Sequence, residues 1–148
     1  MIDLSELHAQ NHRLTEISNV LLYLARDRAL CDTDTARQLF LDYVKESQQH
    51  LERVDRLVKK RMLAASDPCT QNLARKITAD SSFLRHTIQD YRAHWSDERQ
   101  KPMHIRDHHD FVSDTRDLFD LFLDRIQRET ELLYPLLRNL DKTGRIAA

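Results

Sequence analysis

A single glycine in 148 residues is the tightest constraint on what this chain can fold into. The primed turns and bulges of a sheet need residues at positive φ, and phosphate-cradling loops need glycine for close backbone approach. With one Gly and three Pro, both are close to excluded. No G-x-G-x-x-G, Walker loop or nucleophile elbow occurs. The 22 Leu and the scarcity of β-branched residues point to an all-helical domain. At this length a single domain over residues 1–148 can bury roughly 70% of its unfolded surface and needs no disulfide or metal to fold. The charge balance, 23 Lys+Arg against 24 Asp+Glu, lacks the basic footprint of a nucleic-acid binder. No apolar run approaches the roughly 20 residues of a membrane span. The acidic opening from Met1 to Glu6 does not read as a signal or transit peptide, so a cytoplasmic protein is expected.

Four segments carry apolar residues at helical spacing, and they predict helices over about 4–28, 34–65, 70–95 and 103–140. Asp34 or Thr35 is a plausible cap for the second, and the fourth starts just after Pro102. Pro135, inside the last pattern, is expected to kink it, and Gly144 to lie beyond its end. The breaks near Cys31–Thr33, Ser66–Cys69 and Ser96–Lys101 are short, so consecutive helices should run antiparallel, giving an up-down four-helix bundle. That topology puts Cys31 and Cys69 at opposite ends, beyond the reach of a disulfide, as reduced thiols.

At about 100° per residue, several polar side chains fall on the apolar stripes. Asn11 lies on the edge of the first stripe, Ser47 inside the second and His50 at its border. Asp80 and Thr87 fall on the apolar side of the third helix, with Ser81 at the border. Glu129 is almost central in the fourth, flanked by Phe122, Ile126 and Leu133, with Arg125 one turn earlier. An unpaired buried carboxylate costs several kcal/mol or takes up a proton, so Glu129 needs partners. Either Arg125, His50 or Asp80 satisfies it in a buried hydrogen-bonded cluster, or inward His and Glu side chains ligate a metal in the core. His8 and His12 point outward. A second group, His94, Asp97, His104, Asp107, His108, His109 and Asp110, gathers at the turn into the fourth helix. His104 and His108 share a helix face at a two-ligand spacing that His94 would complete, though a solvated acidic helix start explains the same residues. Neither Cys sits in a catalytic motif, and no Ser-His-Asp or Cys-His catalysis is supported.

The run Arg125-Ile126-Gln127-Arg128-Glu129-Thr130-Glu131-Leu132-Leu133-Tyr134-Pro135-Leu136-Leu137 resembles the fourth-helix signature of the hemerythrin-like (HHE cation-binding) domains, an H-x-x-x-E followed by a Leu-Tyr/Phe-Pro-Leu ending. Tyr43-Val44 through His50-Leu51-Glu52 to Met62-Leu63 resembles the family's second helix, and Leu7 to Ile17 its opening helix. The resemblance implies an up-down four-helix bundle with a di-iron centre held by His and carboxylates. Carried over by position, most ligands are replaced. Asn11 stands for the first His, Val54 for the second-helix carboxylate, Asp80 or Ser81 for the third-helix His, and Arg125 for the fourth-helix His. His50 and Glu129 match. A permanent cation one turn from Glu129 neutralises it and repels a metal ion. The expectation is a metal-free core polar cluster of Asn11, Arg125 and Glu129, in a non-catalytic regulatory or sensory module that binds a protein partner or itself. Leu41, Leu121 and Leu123, off the main stripes, are the expected contact points. The alternatives are a genuine iron or dioxygen binder using His50, Asp80 and Glu129, and an anti-sigma-type helical regulator.

Overall fold

The computed structural model describes residues 4–96, 105 and 107–147. The described residues are helical apart from short connections, with no strand among them and no residue at positive φ. The scarcity of glycine is thus matched by a backbone that, among the described residues, does not need it.

The elements are α1 (Leu4–Ala25), α2 (Arg28–Cys31), α3 (Asp34–Arg61), α4 (Pro68–Trp95), α5 (His108–Arg128), a π-helical turn (Glu129–Leu133) and α6 (Tyr134–Ala147). The first predicted helix therefore ends early. Asp27 takes an extended conformation and its side chain accepts from the Ala29 amide, which caps the separate single turn α2. Cys31 falls inside that turn, not in a break. Thr33 caps α3 through the Ala36 amide. α3 stops at Arg61, short of the expected 65. Asp67 caps α4 through the amides of Cys69 and Thr70, with Pro68 in the first turn, where its missing N–H leaves nothing unsatisfied. Residues 103 and 104, the expected start of the fourth helix, lie outside the described residues. The helix that follows is capped by Asp107 on the Asp110 amide. α6 runs through Gly144 instead of ending before it. Both cysteines are free, Cys31 buried and Cys69 exposed.

α1 packs against α3 and α5, and α4 against the same two helices. The apolar side chains they bury form two clusters. One holds Leu14, Leu21, Phe40, Tyr43, Leu84, Ile88, Tyr91, Trp95, Phe111, Phe119 and Phe122. The other holds Leu7, Val54, Val58, Met62, Ala74, Leu133, Tyr134 and Leu137. Ion pairs also brace the elements, among them Arg13 on Glu46 between α1 and α3, Arg85 on Asp55 between α4 and α3, and Arg61 on Asp141 between α3 and α6. No described helix is long and apolar enough to cross a membrane.

Candidate functional site: a buried polar layer between two apolar clusters

Each long helix contributes a polar residue at the level where one apolar cluster gives way to the other. On α1, Asn11 lies between Leu7 and Leu14. On α3, Ser47 and His50 lie between Val44 and Val54. On α4, Ser81 lies between Ala74 and Leu84. On the last long helix, Arg125 and Glu129 lie between Phe122 and Leu133. All six polar residues are buried, with Glu129 at 1% exposure and Arg125 at 2%. At that burial every polar atom needs a partner.

Glu129 is the hub. Its Oε1 accepts from His50 Nε2 at 2.7 Å, from the Tyr134 hydroxyl at 3.0 Å and from Asn11 Nδ2 at 3.4 Å. Its Oε2 accepts from Arg125 Nε at 2.7 Å. The rest of the Arg125 guanidinium reaches into α4, donating to Asp80 Oδ2 at 2.8 Å, Ser81 Oγ at 2.9 Å and the Ile77 carbonyl at 3.2 Å. The planar fork thus joins two carboxylates and two neutral acceptors, a pattern an ammonium could not reproduce. Asp80 takes a second guanidinium, Arg128, at 3.2 Å. On the α1 side, Asn11 Nδ2 donates to the Tyr134 oxygen at 2.8 Å, and the other ring nitrogen of His50 meets the Gln10 amide oxygen at 2.7 Å. Asn11 Oδ1 and Ser47 Oγ have no hydrogen bond among the described residues, so the layer is least well satisfied at these two atoms.

Burial by itself would push the Glu129 carboxyl up. The hydrogen bond and charge of His50, followed by those of Arg125, outweigh it and hold the group below the ordinary glutamate range. Burial likewise works against the Arg125 cation, and the charges and hydrogen bonds of Glu129 and Asp80 more than restore it. The Tyr134 hydroxyl is pushed well up, first by burial and then by the neighbouring Glu129, so it acts as a hydrogen-bond donor and not as an acid. A carboxylate with a depressed folded-state pKa stabilises the fold above its ordinary range and loses that contribution as pH falls through the lower folded value. The urea midpoint is therefore expected to fall on acidification below the ordinary glutamate range. Glu129→Gln, starting lower at neutral pH, should show a shallower fall. Parallel curves for the two proteins would remove Glu129 as the acid-sensitive group.

Tyr134 owes its place in the layer to the π turn. In an uninterrupted α-helix it would sit about 140° round from Glu129, off the stripe. Pro135 has no amide N–H, and its ring crowds the Glu131 carbonyl four residues back. The helix widens over Glu129–Leu133, and the Tyr134 amide bonds the Glu129 carbonyl five residues back. The extra residue in the turn brings Tyr134 back to within about 40° of Glu129, fully buried and within reach of its carboxylate. At Pro135 the structure shows a π turn, and that turn aims a tyrosine into the core.

The sequence-predicted residues divide clearly. His50, Arg125, Glu129 and Asn11 meet in one layer, and Asp80 joins it through the Arg125 guanidinium. Thr87 donates back to the Phe83 carbonyl and takes no part. His8 packs edge-on against Tyr134 at 4.5 Å and meets Arg138, so it is less outward than its spacing implies, whereas His12 is exposed beside Glu16. His94 lies edge-on to Trp95 at 4.6 Å. His108 donates Nε2–H to the Ala25 carbonyl at 2.7 Å, closing the last turn of α1. His104 lies outside the described residues. Among those described, no group of three or more His, Cys, Asp or Glu side chains is arranged to hold a metal ion. Gln10, Tyr134 and Arg128 were missed by sequence reasoning, and only Pro135 carried a signal for one of them. Compared with known proteins, the chain matches no family model, no curated protein and no solved structure.

Proposed function

We propose that this chain is a hemerythrin-like up-down four-helix bundle in which an ionic hydrogen-bonded layer stands where the family holds iron, and that it works as a non-catalytic sensory or regulatory module. The bundle topology is supported by the order in which the helices meet the two apolar clusters. α1 runs from Leu7 of the second cluster to Leu14 of the first, α3 from Tyr43 of the first to Val58 of the second, α4 from Ala74 to Leu84, and the last helix from Phe122 to Leu133. Successive long helices therefore alternate in direction.

One observation carries the metal-free reading: the Arg125 guanidinium lies between the two carboxylates that an iron site would need. Glu129 Oε2 and Asp80 Oδ2 are 2.7 and 2.8 Å from its nitrogens. A dication there would face a fixed cation at contact distance. Val54, fully buried, offers no second-helix carboxylate, and Asn11 turns its Nδ2 donor toward Glu129. The donor set present does not fit a di-iron centre, nor a mononuclear one built on His50, Asp80 and Glu129. Partner binding is supported by large apolar side chains left on the surface. They include Val20 and Tyr23, one turn apart on α1, and Leu121 on α5. Leu41 and Leu123, the other expected contact points, are half-buried.

Protein purified from iron-supplemented cells should carry no stoichiometric iron and no visible absorption. Its thermal midpoint should not move with chelator or with added ferrous ion. Stoichiometric iron, with a midpoint that drops when the metal is stripped, would overturn this reading in favour of a true iron binder.

A further inference from the structure

A groove of about 250 Å³ opens between α4 and the π turn, on the outer side of the polar layer. Its walls are apolar: Leu73 and Ile77 from α4, Leu132 and Leu133 from the π turn. Leu132, 57% exposed, stands at the lip. Its floor is the Arg125–Glu129 pair, and its rim carries Lys76, Asp80 and Arg128.

The charges in this groove do not cancel. Three cations, Lys76, Arg125 and Arg128, face two carboxylates, Asp80 and Glu129. Both carboxylates are already engaged. Asp80 is held by Arg125 and Arg128, and Glu129 by Arg125 and His50. Among the described residues Lys76 alone of the three cations has no ion pair, and it is exposed at the rim. An occupant must therefore bring one negative charge for Lys76 and a hydrocarbon body for the leucines. A dianion would exceed the free positive charge, and a cation would meet an uncompensated lysine.

We infer that this groove is a binding site for a small amphipathic monocarboxylate, its carboxylate at Lys76 and its alkyl chain laid along Leu73, Ile77 and Leu132 toward the Arg125–Glu129 floor. The inference rests on the sensory reading proposed above and gives it a chemical class of signal. Few convergent polar groups in an otherwise apolar concavity is the usual make-up of a small-molecule site. A π turn is also a frequent companion of functional sites. The groove shares its floor with the core, so an occupant that bears on Arg125 or Glu129 bears on the layer linking all the long helices.

The test titrates the 148-residue chain with octanoate, 1-octanol and octylamine, following backbone amide shifts by NMR. Octanoate should bind saturably, with shifts concentrated at residues 73–80 and 128–133. The alcohol should bind about fivefold more weakly, as loss of one partly exposed ion pair predicts, and the amine more weakly still. Lys76→Met should weaken octanoate by about the same fivefold and leave octanol unchanged, whereas Lys76→Arg should retain binding. Leu132→Gln should weaken both. Lys76 and Leu132 are exposed, so unchanged thermal midpoints will show that these variants still fold. Absence of saturable octanoate binding, equal affinity for octanol or octylamine, indifference to Lys76→Met, or shifts centred elsewhere would each overturn the assignment. Iron in the purified protein would overturn the metal-free reading whatever octanoate does. Failure of octanoate in iron-free protein overturns the groove assignment alone.

Discussion

Arg125→Met is expected to destabilise the protein by about 3–5 kcal/mol, the range seen when one partner of a buried ion pair is removed. Methionine fills much of the space of the arginine stem, so lost packing is a small part of the effect. The larger part comes from what is left behind: Glu129 Oε2 without its donor and Asp80 with Arg128 alone, while Ser81 Oγ and the Ile77 carbonyl lose the guanidinium but keep their bond to each other. Glu129 keeps His50 and Tyr134 on Oε1, which places the expected value nearer the lower end of the range. The check is urea unfolding followed by circular dichroism. Arg125→Met combined with Glu129→Leu should recover part of the loss, because exchanging both members of a buried pair for apolar groups removes the orphaned charge. A single variant that costs less than about 1 kcal/mol would mean that the guanidinium is not the counter-ion of the layer.

Phe111→Ala is expected to cost about 3–5 kcal/mol as well, by a different route. Phe111 is fully buried in the first turn of α5, with Phe40 at 5.1 Å and Trp95 at 5.2 Å, both edge-on, and Tyr91 at 6.4 Å. Trp95 in turn donates its indole N–H to Asp114, and the Tyr91 hydroxyl shares a hydrogen bond with Thr115. Truncating Phe111 opens a cavity among rings whose edges pack on it, and those rings hang from α3 and α4. Because this cluster is remote from the Arg125–Glu129 layer, the two substitutions should be additive to within about 0.5 kcal/mol. Strong non-additivity would show that the aromatic end and the polar layer are coupled.

Helix content, the identity of most core positions and the presence of an inward polar layer were all legible along the chain. These properties follow from the helical period: leucines every three to four residues define a stripe, and any polar residue that falls on it stands out. His50, Arg125 and Glu129 were visible for this reason, since each sits between apolar residues of its own helix. Ser81, at the border of its stripe, proved fully buried because Arg125 crosses to it from the neighbouring helix. The end of α1 at Ala25 and the single turn α2 were harder to read, because Asp27 had to be recognised as a cap inside an apparently continuous pattern.

Partnership is the quantity that periodicity cannot carry. The 100° rule says which side of its own helix a residue occupies, not which atom of another helix it meets. The chain alone determined that Glu129 would be buried and that a permanent cation stood one turn away. Only the tertiary structure decided that the cation turns inward, uses Nε on Glu129 and its remaining nitrogens on α4, and so divides the two carboxylates. It also decided that Tyr134 enters the layer, because a π turn shifts the register of every residue after it and a fixed angular step cannot anticipate the extra residue. The scarcity of glycine had already argued against sheets, and the helical spacing of the leucines had set where the helices would form. Arg125 and Glu129 pair within one helix, but how the layer's remaining buried groups find partners depends on distances between segments far apart in the chain, and those exist only once the helices have packed.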